Sequence, residues 1–224
     1  MGKMIQLKGS DGVAIGAYQA DPAGAPRGGI VVIQEIFGVN KHIRAVADFY
    51  AAQGYLAIAP ALFDRAEKNS DLGYGDSDRA HGFELLNKSS RGKALVDIAA
   101  AVDVARSAGR VGLVGFCWGG ALVWFAAAEM PGIDAAVGYY GGGILGAKDL
   151  KPKVPVLLHF GENDDHIPAA GVRELAKDNP QIPIYLYPGA GHAFNRDVDP
   201  NAYHAPSADL ARQRTLEFFA RHVG

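Results

Sequence analysis

A chain of 224 residues has room for one good-sized core and not comfortably for two. At 49% hydrophobic and 21% charged it has the balance of a folded globular protein, which argues against a disordered chain. Its 22 Lys plus Arg against 24 Asp plus Glu leave a formal charge of -2, so nothing electrostatic draws it to nucleic acid or an anionic membrane. In chain order, residues 4–19 read as two short extended pieces around Asp11-Gly12, a hairpin turn signal that predicts an antiparallel edge. From residue 30 onward, continuous β-branched or apolar runs at 30–33, 56–59, 111–114, 135–139, 154–158 and 182–186 predict strands buried on both faces of a mostly parallel sheet.

Helical periods separate the runs. After Asn40, a candidate N-cap, Ile43, Val46, Ala47, Phe49 and Tyr50 share one face, and Gly54 follows as a stop. Leu95, Ile98, Ala99, Val102 and Ala105 repeat the pattern before Gly109. Residues 121–128 are apolar all round, hence buried. A last helix begins near Ser207, with Leu210, Leu216, Phe218 and Phe219 apolar. This alternation predicts a single α/β domain over residues 1–224, with helices on both faces of the sheet. The polar stretch 61–91 has no clear period and reads as a long irregular loop, either a partial lid or a solvated surface.

The most informative segment is Val111 to Gly120. A β-branched strand ends in Gly115-Phe116-Cys117-Trp118-Gly119-Gly120, and an apolar helix begins at once. This is the G-x-S-x-G nucleophile elbow with Cys in place of Ser. Glycines on either side relieve a strained turn, and the sulfur stands above the carboxyl edge of the sheet at a helix N-terminus. That end favours a thiolate and offers N–H groups to an oxyanion. Further on, Gly161-Glu162-Asn163-Asp164-Asp165 follows one predicted strand and Gly189-Ala190-Gly191-His192 follows the next. Nucleophile, acid, histidine is the α/β-hydrolase order. Cys117 would attack a carbonyl, His192 would move protons, and an aspartate would orient the imidazole. Asp164 and Asp165 both qualify by composition, and Asp164 is preferred on its register after Gly161. His42, His81, His166, His204 and His222 fall in loops or on predicted helix surfaces, and His159 lies in a strand. No spacing resembles a zinc site or a phosphate-binding loop, so neither metal nor cofactor is expected.

Gln34-Glu35-Ile36-Phe37-Gly38, the Cys117 elbow, the Asp164 turn and Gly191-His192-Ala193-Phe194 together resemble the dienelactone hydrolase (carboxymethylenebutenolidase) family, over most of the chain. The resemblance implies an α/β-hydrolase fold and a Cys117-His192-Asp164 triad. It also implies that Glu35 partners the thiol at rest and takes its proton once substrate binds. Oxyanion donors would be the backbone N–H groups of Ile36 and Trp118. Two arginines would hold a substrate carboxylate: Arg196, from the His-x-Phe-x-Arg pattern after His192, and Arg79, counting back from Asp97.

The implied reaction is opening of the enol lactone of dienelactone to maleylacetate in chloroaromatic breakdown, with no cofactor and a small anionic lactone or ester as partner. Another small ester or thioester is the alternative, because fold and triad do not set the substrate. A thiol-based redox sensor fits poorly, since Cys117 is the one cysteine and lacks a resolving thiol. The N-terminus has no signal-peptide core, and the lone cysteine calls for no oxidising compartment. A cytoplasmic monomer that binds neither membrane nor nucleic acid is therefore expected.

Overall fold

The computed structural model describes residues 2–224. Eight strands form one sheet: β1 (Lys3–Lys8), β2 (Ala14–Ala20), β3 (Gly29–Ile33), β4 (Leu56–Pro60), β5 (Val111–Phe116), β6 (Ala135–Tyr139), β7 (Val156–Gly161) and β8 (Ile184–Tyr187). Their spatial order is β1-β2-β4-β3-β5-β6-β7-β8. The first two are the expected hairpin, and β2 runs antiparallel to β4; all other pairs are parallel. Every residue of β3, β4, β5, β6 and β7 is buried, as their unbroken apolar sequence requires. The edge strand β8 is only half covered. Strands β7 and β8 start two residues later than the apolar runs suggest, directly after Pro155 and Gln181-Ile182-Pro183, because proline has no N–H to give a ladder.

The described residues form six α-helices, α1 (Lys41–Ala52), α2 (Asp76–Lys88), α3 (Arg91–Ala105), α4 (Trp118–Glu129), α5 (Ala169–Asp178) and α6 (Ala205–His222), of which all but α2 pack on the sheet. Asn40 caps α1 by accepting from the Ile43 N–H at 3.2 Å, and Gly54 turns the chain out at φ 92°. Ser90 caps α3 in the same way through the Lys93 N–H at 3.3 Å. Helix α2 corrects the expectation of an irregular 61–91. Only Gly82 and Leu85 of its thirteen residues are buried, so it has no apolar stripe to betray it. His42 also departs from expectation. It faces the sheet from α1 and is 2% exposed, not a surface residue. Leu210, counted as apolar contact for α6, is 40% exposed; Ala208, Ala211, Phe218 and Phe219 make the contact.

Two polar devices fix the layers. Arg65 forks onto the buried Asp97 of α3 (2.7 and 2.8 Å) and onto Asp11 in the β1–β2 turn (2.7 Å), which pins the segment after β4 to both. Under α6, Thr215 Oγ1 meets Tyr139 Oη at 2.7 Å and His159 Nε2 at 3.1 Å, while His159 Nδ1 meets Tyr187 Oη at 2.8 Å. Burial pushes His159 down to about 3, with Arg214 adding to the effect, so its imidazole stays neutral. A smaller apolar cluster of Ile36, Phe37, Phe63 and Leu85 lies apart from the main core, beneath α2. Among the described residues no helix is long and apolar enough to cross a membrane.

Candidate active site

Cys117 joins β5 to α4 with φ 53° and ψ -113°, in the left-handed region that costs a non-glycine residue steric strain. Two neighbours make the turn possible. A Cβ on Gly115 would strike the carbonyl of Gly119, and one on Gly119 would strike the carbonyls of Ile33 and Gln34. The Cys117 N–H donates to the Tyr139 carbonyl at 3.0 Å, which anchors the elbow to β6. Trp118 is the first residue of α4, so its N–H has no intrahelical acceptor.

The loop after β8 brings His192 Nε2 to 3.2 Å from Cys117 Sγ. The loop after β7 brings Asp164 Oδ2 to 2.7 Å from His192 Nδ1. Asp164 has no exposed side-chain surface, and its other oxygen accepts the N–H groups of His166 (2.8 Å) and Ile167 (3.2 Å). All of its acceptor geometry therefore serves one orientation. Asp165 is exposed at the rim. Burial alone would pull the His192 imidazole down, but its hydrogen bonds to Asp164 and then to Cys117 outweigh it and raise the group to about 10. The three residues thus form one hydrogen-bonded chain from sulfur to carboxylate.

Glu35 and Arg196 meet beside this chain. Arg196 Nη1 lies 3.3 Å from Glu35 Oε2, and its Nη2 lies 3.1 Å from Asp199 Oδ2. The guanidinium sits over the rings of Tyr74 (4.4 Å) and Phe37 (5.3 Å), which themselves meet edge to face at 4.8 Å. Burial would lower the Arg196 pKa, but the Glu35 carboxylate raises it instead. Glu35 Oε1 and Arg196 Nε are buried without a partner. Glu35, expected to partner the thiol at rest, instead accepts from Arg196, and the hydrogen bond to Sγ comes from His192. Arg79, on α2, is exposed on the wall of the same cleft. Ile36 and Trp118 line it as well. The cleft encloses about 890 Å³.

Two neighbours were not legible as site residues. Tyr140, at φ 38°, lays its ring 5.2 Å from that of His192, and its buried hydroxyl has no partner. His42 Nδ1 lies 3.2 Å from Asp197 Oδ1 and so ties the loop that carries Arg196 to α1. The sequence signal for Tyr140 is a bulky residue between a strand and Gly141-Gly142-Gly143; for His42 there is none. Among the described residues no three His, Cys, Asp or Glu side chains cluster as metal ligands.

A family model described as the dienelactone hydrolase family matches residues 15–223. The chain belongs to the dienelactone hydrolase family. It is a hydrolase of the carboxylic-ester type. Carboxymethylenebutenolidases of Pseudomonas putida and Pseudomonas knackmussii are each 38% identical to it over 96% of this chain and 95% of theirs. Among solved structures, a Klebsiella pneumoniae protein superposes with a TM-score of 0.83 at 33% identity, covering 99% of this chain and 100% of its own. A dienelactone hydrolase-like promiscuous phosphotriesterase from metagenomic libraries shares the fold at 20% identity, with a TM-score of 0.76 over 100% of this chain and 99% of its own.

Proposed function

We propose that this protein opens the enol-lactone ring of dienelactone to maleylacetate, in chloroaromatic breakdown, through a cysteinyl acyl-enzyme on Cys117. The observation that carries the reading is the unbroken chain Sγ, imidazole, carboxylate at 3.2 and 2.7 Å, in a cleft that also holds a buried arginine–glutamate pair. In the first half-reaction Sγ bonds to the lactone carbonyl carbon and the thiol gives up its proton. Charge gathers on the carbonyl oxygen, where the Ile36 and Trp118 N–H groups meet it. Collapse breaks the ring C–O bond, and His192 protonates the departing oxygen. In the second half-reaction His192 takes a proton from water, the resulting hydroxide attacks the thioester, and sulfur leaves as a thiolate that takes its proton back from Glu35.

Glu35 and Arg196 tie one route of activation to an anionic substrate. A substrate carboxylate that pairs with Arg196 displaces Glu35, and the freed carboxylate takes the thiol proton. Arg196 is already held by two acids, Glu35 and Asp199, so an anion binds by exchange rather than by filling an empty cation site. Arg79 at the cleft wall is the second carboxylate partner. The reading is supported by the names and identity of the Pseudomonas relatives. The test is loss of the ultraviolet absorbance of purified dienelactone, with wild type and Cys117→Ala side by side. Rapid loss abolished by the substitution is expected. Slow turnover by a wild type that splits a neutral activated ester through Cys117 would keep the machinery and remove the substrate.

A further inference from the structure

A groove runs from the nucleophile between α4 and α2. On α4, Trp118, Ala121 and Phe125 fall at i, i+3 and i+7; on α2, Arg79, Phe83 and Leu86 repeat that kind of spacing, and all six line the cleft. From Cys117 to Phe125 is eight residues, about 12 Å at the helical rise. Past Trp118 the walls are apolar: Ala121 and Phe125 on one side, Phe83 and Leu86 on the other. Phe83 is 50% exposed, a large apolar surface with no core to cover it. The side of the cleft that carries His192 is different, with Asn163, Asp165 and His166 beside it. A volume of about 890 Å³ suits a drug-sized ligand, and a small lactone fills a minor part of it.

We propose that the protein has a second substrate class, esters with an extended apolar acyl group, whose chain lies between α2 and α4 against Phe83, Leu86, Ala121 and Phe125. The assignment of acyl rather than alcohol follows from proton transfer. The leaving oxygen must take its proton from His192 Nε2, so the alcohol lies on the polar side and the acyl chain on the other. With no substrate carboxylate to free Glu35, His192 takes the thiol proton as Sγ attacks the acyl carbon and passes it to the departing alcohol; His192 then takes a proton from water, the hydroxide releases the carboxylic acid, and the proton returns to sulfur. The proposal rests on Cys117 as the nucleophile.

The experiment compares p-nitrophenyl acetate, butyrate, hexanoate and octanoate, beside acetate esters of methyl to octyl alcohols, in wild type, Cys117→Ala and Phe83→Ser. For wild type, kcat/KM rises by at least about threefold per two acyl methylenes, while the alcohol series stays flat. Phe83→Ser brings the octanoate-to-acetate ratio toward one, and Phe83→Leu restores it. A flat acyl series with Cys117-dependent cleavage of the acetate overturns the acyl groove and leaves the nucleophile standing. A rise confined to the alcohol series overturns the orientation and the proposal with it. Ester cleavage that survives Cys117→Ala removes the nucleophile and everything built on it.

Discussion

Glu35 and Arg196, 161 residues apart in the chain, share one buried ion pair, and each keeps a polar atom with no other partner. Such a pair is costly to break from one side, because the charge left behind stays out of water. Arg196→Ala is expected to destabilise the fold by about 3–5 kcal/mol, read by urea unfolding. Adding Glu35→Gln to Arg196→Met recovers most of that loss. In kinetics, Arg196→Lys raises KM for an anionic lactone far more than for a neutral ester. Equal effects on the two substrates would take the arginine out of carboxylate binding.

Asp164 and Asp165 are adjacent in sequence and opposite in environment. Asp164→Asn leaves the geometry nearly intact but donates where it should accept, so kcat should fall by about 10²–10⁴. Asp165→Asn should stay within about twofold of wild type, since exposed charges contribute little. Reversed magnitudes would move the triad acid by one residue.

Two histidines give opposite pH signatures. His192 is raised from 6.5 to about 10, so its stabilising contribution is complete below pH 6.5 and disappears as pH rises through about 10. The difference in unfolding free energy between wild type and His192→Gln should shrink across that window. His159 is lowered to about 3 and stays neutral in the fold while the unfolded chain protonates below 6.5. Stability should therefore drop as pH falls from 6.5 toward 3, with a slope of up to about 1.4 kcal/mol per pH unit. A His159→Gln variant that keeps the full slope would place the effect elsewhere.

The Tyr140 hydroxyl is buried and unpartnered, which costs a fold about 1–3 kcal/mol. Tyr140→Phe should leave the melting temperature unchanged or raise it, and the ring packing against His192 should keep catalysis within a few fold. A lower melting temperature would mean that the hydroxyl has a bonded partner, such as an ordered water.

The sheet and the elbow were legible because their signals are local and redundant. Val111 to Val114 can only be a buried strand, and the glycines around Cys117 mark a turn that no ordinary residue tolerates at those positions. The chain order Cys117, Asp164, His192 was legible for the same reason, since each follows a strand end, and hydrogen bonds join the three in the fold. Helix α2 was not, because helical periodicity is a record of burial and this helix buries two residues. Its Phe83 faces a cleft instead of a core, and Leu86 lines that cleft while packing only on the small cluster, so they form no stripe. His42 was misread because nothing about a histidine in an amphipathic helix says which face it takes. The Tyr139, Thr215, His159 and Tyr187 network joins residues far apart in sequence, and only the closed fold brings them together.

Cys117 is the one cysteine in the chain, half-buried at the mouth of α4. Every thiol-directed reagent therefore reports on a single position. Moles of iodoacetamide incorporated per mole of protein count competent sites directly, with no background from other thiols and no mutagenesis. A ligand that occupies the cleft should slow that labelling in proportion to its occupancy. The same chain thus carries its own titrant for any candidate substrate, including those it binds without turning over.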